Sequence, residues 1–400
     1  MPSLNQAQFI SDSINSVFNQ ITDFPFELIV MDGGSEDNTD EILKAVSKKY
    51  PDSLRFYIEK DSGPADAINK AIKKAQGGIL GWLNSDDLYL PNTINQVVDA
   101  YKTNDDLLML YGYAQHIGEN DEDLGFYPTK PPETGFEGFR DSCFICQPTV
   151  FFKRELFDEV GYLNESLKTA FDYELWLRIF KDYSYRIGFI PSVLAKSRLH
   201  KGNITLSQRE LVFKESIQLV ARNFQSVPIH WFTTYADEFV NDFLRIKSPV
   251  DINDHLFGFF EEISGLLNEE DKRQIKNLLS YGKYSKKEIV KQKKYKPKIL
   301  TLVHAWLELK RLPEDIKSKY KIIKSSGLFE EQWYLNQYPE VERSMINPII
   351  HYIKYGATEG RKPSKEFDLI RYEYENGDIG LQGIDLYLYY IHKTKTLPKA

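Results

Sequence analysis

Leu28-Ile29-Val30-Met31-Asp32-Gly33-Gly34-Ser35-Glu36-Asp37 is the stretch that decides the fold. Its apolar run reaches back to Phe26, is bounded by turn residues, and reads as a short strand buried on both faces. Asp32 closes the strand, and the two glycines after it let the backbone turn tightly and come close to a ligand. Upstream, Ile10, Ile14, Val17, Phe18 and Ile21 share one helical face. Downstream the pattern predicts a helix from Thr39 to Tyr50, a strand from Leu54 to Glu59 and a helix from Pro64 to Gln76. A strand from Ile79 to Leu83 and a helix from Pro91 to about Tyr101 follow. Strands alternating with helices predict an α/β fold with a mainly parallel sheet flanked by helices, in which ligands sit at the carboxyl ends of the strands.

From Leu107 to about His200 the pattern is mixed. It predicts strands Leu107 to Ala114 and Thr149 to Phe152 and a helix Tyr173 to Phe180, the second half of the same domain. Beyond Asn203 helical spacing takes over, as in Leu211, Ile217, Leu219 and Val220, and later Ile263, Leu266, Ile275 and Leu279. The division expected is 1–205 for the α/β domain, 206–325 for a helical linker or small helical domain, and 326–400 for a helical repeat region. The repeat rests on Phe329, Tyr334, Tyr352 and Ile353, which recur 38 residues later as Phe367, Tyr372, Tyr390 and Ile391.

The 400 residues are 42% hydrophobic and 27% charged, which excludes a disordered chain and gives enough apolar material for more than one core. With 51 Lys plus Arg against 58 Asp plus Glu, the net charge of -7 argues against a dedicated nucleic-acid binder. The run from Lys283 to Lys298 is one local basic segment, readable as a solvated helix face or as peripheral contact with an anionic membrane. Cys143 and Cys146 are the only cysteines, so no disulfide framework exists and a reducing compartment is expected. Their spacing suits a metal pair, yet no second pair exists, and they read as core residues. No apolar run approaches a spanning helix and the first residues lack the regions of a signal peptide, so a cytoplasmic location is expected, with the inner membrane face as its peripheral variant.

Four places carry chemistry. Asp32 at its strand end suits a hydrogen-bonded ribose or base, and equally a capped turn. Trp82-Leu83-Asn84-Ser85-Asp86-Asp87 sets two adjacent carboxylates after a buried strand. Their repulsion is relieved by Mg²⁺ or Mn²⁺ bound through carboxylates and diphosphate oxygens, or the pair merely suits a helix N-terminus. In Asp172-Tyr173-Glu174-Leu175-Trp176 either carboxylate can act as a general base or as a helix cap. His200, after Arg198-Leu199, can ligate metal or remain an ordinary hydrogen-bonded histidine. Trp333 and Tyr334 in the tail can stack on sugar rings, though core packing suits them better.

Taken in order, Pro2-Ser3-Leu4-Asn5-Gln6, Asp32-Gly33-Gly34-Ser35, Gly63-Pro64-Ala65-Asp66-Ala67-Ile68-Asn69-Lys70, Asn84-Ser85-Asp86-Asp87, Gln147-Pro148, Asp172 to Trp176 and Arg198-Leu199-His200 resemble family 2 glycosyltransferases of the GT-A fold. The resemblance covers roughly residues 1 to 205. It implies an inverting glycosyltransferase that moves a sugar from a nucleotide-diphospho-sugar to a sugar, lipid-linked or glycan acceptor, in bacterial surface polysaccharide or glycan synthesis. It also implies Asp172 as catalytic base. Pro2, Ser3, Asn5, Asp32, Gly34, Asp66, Asn69, Asn84 and Asp86 would contact the donor nucleotide, with Asp86, Asp87 and His200 around a divalent metal and Gln147, Glu174 and Trp176 toward the acceptor. The alternative is a non-catalytic nucleotide-sugar-binding or scaffold protein that uses its helical tail for partners.

Three departures from the family pattern stand out. Position 33 is glycine where many relatives carry a second aspartate, and position 171 is phenylalanine where many carry an acid. Met1 stands where relatives have an apolar first strand, so a sheet lacking that strand, in a chain that starts late, is expected. In the tail, Trp333-Tyr334-Leu335-Asn336, Pro339-Glu340-Val341, Asn347-Pro348, His351-Tyr352 and Gly356 to Pro363 resemble a short repeat attached to bacterial glycosyltransferases, its second copy degenerate.

Overall fold

In a computed structural model the deciding stretch forms β2 (Leu28–Asp32), buried at all five positions as an apolar run covered on both faces must be. The structure describes residues 1–243, 249–289, 313–338, 341, 347–376 and 381–396. They fall into two compact units, Met1–Gln225 and Ser226–Ala400.

In the first unit β2 lies parallel to β1 (Pro2–Ser3) on one side and β3 (Leu54–Ile58) on the other, with Met31 opposite Pro2 and Leu28 opposite Leu54. The helices α1 (Ile10–Phe18), α2 (Thr39–Lys49) and α3 (Pro64–Lys74) pack around these strands. Pro64 begins α3, where its fixed φ and missing N–H cost nothing. The first strand, β1, has two residues, and the Met1 amino group donates to the Ile29 carbonyl at 2.9 Å. Beside it lies a largely apolar cavity of about 440 Å³ whose walls include Met1, Leu28, Ile29, Ile79, Leu80 and Trp82.

The second sheet corrects the expectation of a mainly parallel arrangement. Its order is β4 (Ile79–Gly81), β8 (Phe151–Lys153), β6 (Met109–Ile117), β9 (Ile187–Arg198), β5 (Leu88–Tyr89), with β7 (Asp123–Phe126) on β6. Only β6 and β9 pair in parallel, and the other pairs in this sheet are antiparallel. A short connection, such as the turn from β6 to β7, permits only the antiparallel direction. Two- and four-residue strands such as β5 and β7 are too short to show a period.

Further helices α4 (Thr93–Thr103), α5 (Leu156–Val160), α6 (Phe171–Tyr183), α7 (Ile204–Ser207) and α8 (Arg209–Phe224) complete this unit. Its extent to Gln225 takes in α8, twenty residues past the division read from the sequence, because α8 packs on α6 and binds the turn before it through Glu215. Ile10, Ile14, Val30, Leu43, Leu110 and Leu194 are central to its core.

The second unit is helical: α9 (His230–Phe243), α10 (Pro249–Ile263), α11 (Glu269–Ser280), α12 (Glu314–Ser326), α13 (Glu331–Gln337), α14 (Pro348–His351), α15 (Leu369–Glu375) and α16 (Gly383–Thr396). Ile323, Phe329, Tyr334, Tyr352, Phe367 and Tyr387 belong to one apolar cluster there. Within it Phe329 meets Tyr334 and Tyr352 at 5.0 and 5.5 Å between ring centres, and Phe367 meets Tyr372 and Tyr390 at 5.5 and 4.2 Å. Of the lysine run, Lys283 pairs with Asp237 and Lys286 with Asp254, both at 2.8 Å. Lys291, Lys293, Lys294, Lys296 and Lys298 lie outside the described residues. Among the described residues no helix is long and apolar enough to cross a membrane.

Candidate active site

The turn after β2 is built around Asp32. The residue is 1% exposed, and its carboxylate accepts the amides of Gly34 and Ser35 at 3.0 and 2.8 Å and the Ser35 hydroxyl at 2.6 Å. Gly34 holds φ at +94°, a conformation that favours glycine. Asn5 joins the turn from the β1 side. Its amide donates to the Ser35 hydroxyl at 2.7 Å, and its side-chain oxygen accepts the Glu36 amide at 2.8 Å. Ser3 accepts the Gly33 amide through its carbonyl at 2.9 Å, while its buried hydroxyl has no partner. Pro2 and Ser3 thus serve as the strand that anchors this turn.

The glycine at position 33 has a local cause. A Cβ there would stand 2.7 Å from a carboxylate oxygen of Asp61, a residue not singled out from the sequence. Burial, with Asp66 and Asp32 nearby, pushes the Asp61 carboxyl up, so carboxylates from the end of β2, the loop after β3 and the start of α3 lie near one another. Asp66 sits in the first turn of α3, accepts the Ser62 amide at 2.9 Å and pairs with Lys70 at 3.1 Å. Asn69 is bound elsewhere. Its side chain donates to the Leu163 carbonyl and to Glu165 and accepts the Leu163 amide, so the structure uses it as a tether rather than a free donor contact.

After β4 the chain forms a second polar centre. The Trp82 indole donates to the Asn84 oxygen at 3.0 Å, and Asn84 donates to Gln147 at 2.8 Å and Asp87 at 3.2 Å. Gln147 returns to the Trp82 carbonyl at 2.6 Å, so it braces this strand end. Asp86 and Asp87 face different ways. Asp87 is 3% exposed and accepts the Arg198 amide at 2.9 Å. Burial, then Asp86, pushes its carboxyl well up. Asp86 reaches His200 Nε2 at 3.0 Å. Among the described residues no group of three or more His, Cys, Asp and Glu forms a cation site. Asp86 thus faces the imidazole of His200, while Asp87 accepts the backbone amide of β9 at Arg198.

Asp172 lies in the first turn of α6, partly exposed, with its oxygen accepting the Tyr173 amide at 2.7 Å. Burial raises its carboxyl to about 6, partly offset by that amide. Trp82 stacks on Phe171 at 5.8 Å and meets Trp176 at 6.4 Å, which brings the start of α6 against the strand end that carries Asn84 and Asp86. The Cys146 thiol, buried in the core as expected, lies in electrostatic reach of both Asp87 and Asp172. Glu174 is bound to Arg178 through contacts of 2.8 to 3.1 Å, and Arg178 also holds the carbonyls of Val160 and Tyr162. The acceptor contact expected of Trp176 is corrected: it is 0% exposed, stacked on Phe152 at 5.8 Å, and therefore a core residue.

Sequence reading gave Asp61, Lys168, Arg198 and Glu215 no role. Arg198 is 3% exposed and ties the Asp86, Gly118 and Glu119 carbonyls together. Lys168, Arg198 and Glu215 bond partners far along the chain, which no local motif reveals.

Residues 1–161 match the family model described as glycosyl transferase family 2. A protein of Rickettsia conorii named as an uncharacterized glycosyltransferase is 32% identical over 213 residues, which are 50% of this chain and 33% of that one. A counterpart named in the same way from Rickettsia prowazekii is 30% identical over 219 residues, 51% of this chain and 64% of that one. The match thus spans between a third and two thirds of these relatives. The S. aureus TarS structure (residues 1–349, with UDP-GlcNAc) covers 77% of this chain and 90% of its own, at 19% identity and a TM-score of 0.47. The family match and the relatives support a glycosyltransferase.

Proposed function

We propose that the first unit is an inverting glycosyltransferase of GT-A type that transfers a sugar from a nucleotide-diphospho-sugar to an acceptor hydroxyl by a single displacement. The observation that carries the reading is Asp172: a carboxylate raised to about 6 at the start of α6, beside the strand end that bears Asp86. Such a group is ionised at neutral pH yet basic enough to take the acceptor proton as the hydroxyl attacks the anomeric carbon. The turns at Asp32, Asp61 and Asp66 lie at the ends of strands and the start of a helix, where a nucleoside is received in this reading. A divalent cation bound to Asp86, His200 and the donor diphosphate would supply neutralisation of charge on the leaving nucleoside diphosphate. We assign the product to bacterial surface polysaccharide or glycan synthesis, and the aromatic tail with its 38-residue period to a partner or glycan contact.

The test is a thermal-shift and turnover screen with UDP-, GDP-, dTDP- and CDP-sugars, with Mn²⁺ and with a chelator. One nucleotide class is expected to stabilise the protein in a metal-dependent way, and Asp172→Asn to lower turnover about 100- to 10,000-fold while keeping that shift. Normal turnover by the variant would remove Asp172 as the base, and no shift with any donor would favour a scaffold.

A further inference from the structure

Three consecutive residues before α6, Lys168 to Ala170, give all their amides to one carboxylate. The Lys168 amide donates to Glu215 Oε1 at 2.9 Å, and the Thr169 and Ala170 amides donate to Oε2 at 2.8 and 2.9 Å. The Thr169 hydroxyl adds a fourth bond at 2.7 Å. Glu215 comes from the middle of α8, and only 7% of it is exposed. The first amides of a helix need acceptors, and a side-chain oxygen at the N-cap normally supplies one. The N-cap of α6 is Ala170, which has none. Asp172 accepts the Tyr173 amide itself, and Glu215 takes the three amides just ahead of the first turn, those of Lys168, Thr169 and Ala170, through charge-assisted bonds stronger than neutral ones.

The same turn reaches the donor side. The Lys168 ammonium donates to the Ser62 carbonyl at 2.8 Å, and the Ser62 amide donates to Asp66 at 2.9 Å. Asp172 stands two residues beyond Ala170, in the first turn of α6. The turn is thus fixed to α8 at one end and to the Ser62–Asp66 turn at the other, with Asp172 just beyond it.

We propose that Glu215 is a positioning residue that sets where the Asp172 carboxylate stands relative to the donor turn, by pinning the turn before α6 to α8. This rests on the reading of Asp172 as the base. Loosening of the turn lets more water reach the partly exposed Asp172, and misplacement of about 1 Å slows a step of this kind on the order of 100-fold.

The test compares wild type, Glu215→Gln, Thr169→Val, Asp172→Asn and the double variant Glu215→Gln with Asp172→Asn. Glu215→Gln keeps the size of the side chain and removes its charge and one acceptor. Its first readout needs no substrate: the titration midpoint of the Asp172 carboxyl, followed by carbon-13 NMR. The midpoint is expected to fall from about 6 toward the ordinary aspartate value in Glu215→Gln, and by less in Thr169→Val. An unmoved midpoint in a folded Glu215→Gln protein would overturn the proposal. The second readout is turnover of whichever UDP-, GDP-, dTDP- or CDP-sugar the wild type consumes, at a temperature where every variant is folded. Glu215→Gln is expected to lower kcat about 10- to 100-fold with donor KM nearly unchanged, and to add no further loss in the Asp172→Asn background. Multiplying losses, or a rise in KM alone, would refute Glu215 while leaving the base in place. Full activity in Asp172→Asn would instead refute the base assignment itself.

Discussion

Desolvation raises the partly exposed Asp172 carboxyl to about 6, and a base must lose its proton before it can work. The expected kcat/KM therefore rises with pH through a midpoint near 6 and is level above it, and a pH–rate profile checks this. The linkage sign follows from the same shift. A carboxyl raised in the folded state destabilises the fold once it ionises, so the cost appears as pH rises from about 4 and is complete above about 6. Asp172→Asn removes that cost, and its stability relative to wild type should grow over this window by up to about 3 kcal/mol, read by urea denaturation at pH 4 and pH 8. Gly33 offers a second residue-scale test. Gly33→Ala drives a methyl against the Asp61 carboxylate, and weaker stabilisation by the donor nucleotide in thermal shift is the expected result, with the fold retained.

At the scale of elements, β9 and α6 bring the two halves of the site together. Arg198 at the end of β9 bonds three carbonyls from within the protein, and Arg198→Met removes the guanidinium from those of Asp86, Gly118 and Glu119, of which Gly118 keeps the Asp121 amide. A loss of about 3 kcal/mol in urea unfolding is expected. The helix α6 is buried on most of its surface and is seated by Trp176 against Trp82 and Phe152. Trp176→Ala should cost about 3–5 kcal/mol by the same measurement, as a core truncation does. If Trp176 were instead a sugar platform at the surface, its loss would leave stability almost unchanged. Nothing local in Asp172 to Trp176 shows that Trp176 is buried, because its partners Trp82 and Phe152 come from distant parts of the chain. Asn69 was hidden in a similar way, because its partners Leu163 and Glu165 lie far along the chain.

For the whole molecule, the unit Met1–Gln225 contains every residue proposed for donor binding and transfer. A fragment ending at Gln225 is expected to unfold in one cooperative transition and to keep the metal-linked stabilisation by the donor, measured by calorimetry. Failure of that fragment to fold would mean that the helical unit supplies part of its stability. Cutting at residue 205 should be more damaging, because it removes Glu215 and leaves three amides before α6 unsatisfied.

The sequence by itself determined β2, the helices and strands around it, and the acidic residues at their ends, because strand and helix periods and turn residues are local properties. It also marked Asp172, whose chemical type and helical spacing are visible without a structure. Only the tertiary structure decided that the second sheet is mixed, that Trp176 is core, that Asp87 braces β9 while Asp86 meets His200, and that Asp61 fills the space beside Gly33. Those outcomes depend on which distant side chains compete for the same buried volume and the same hydrogen-bond donors, and that competition is settled only when the chain packs.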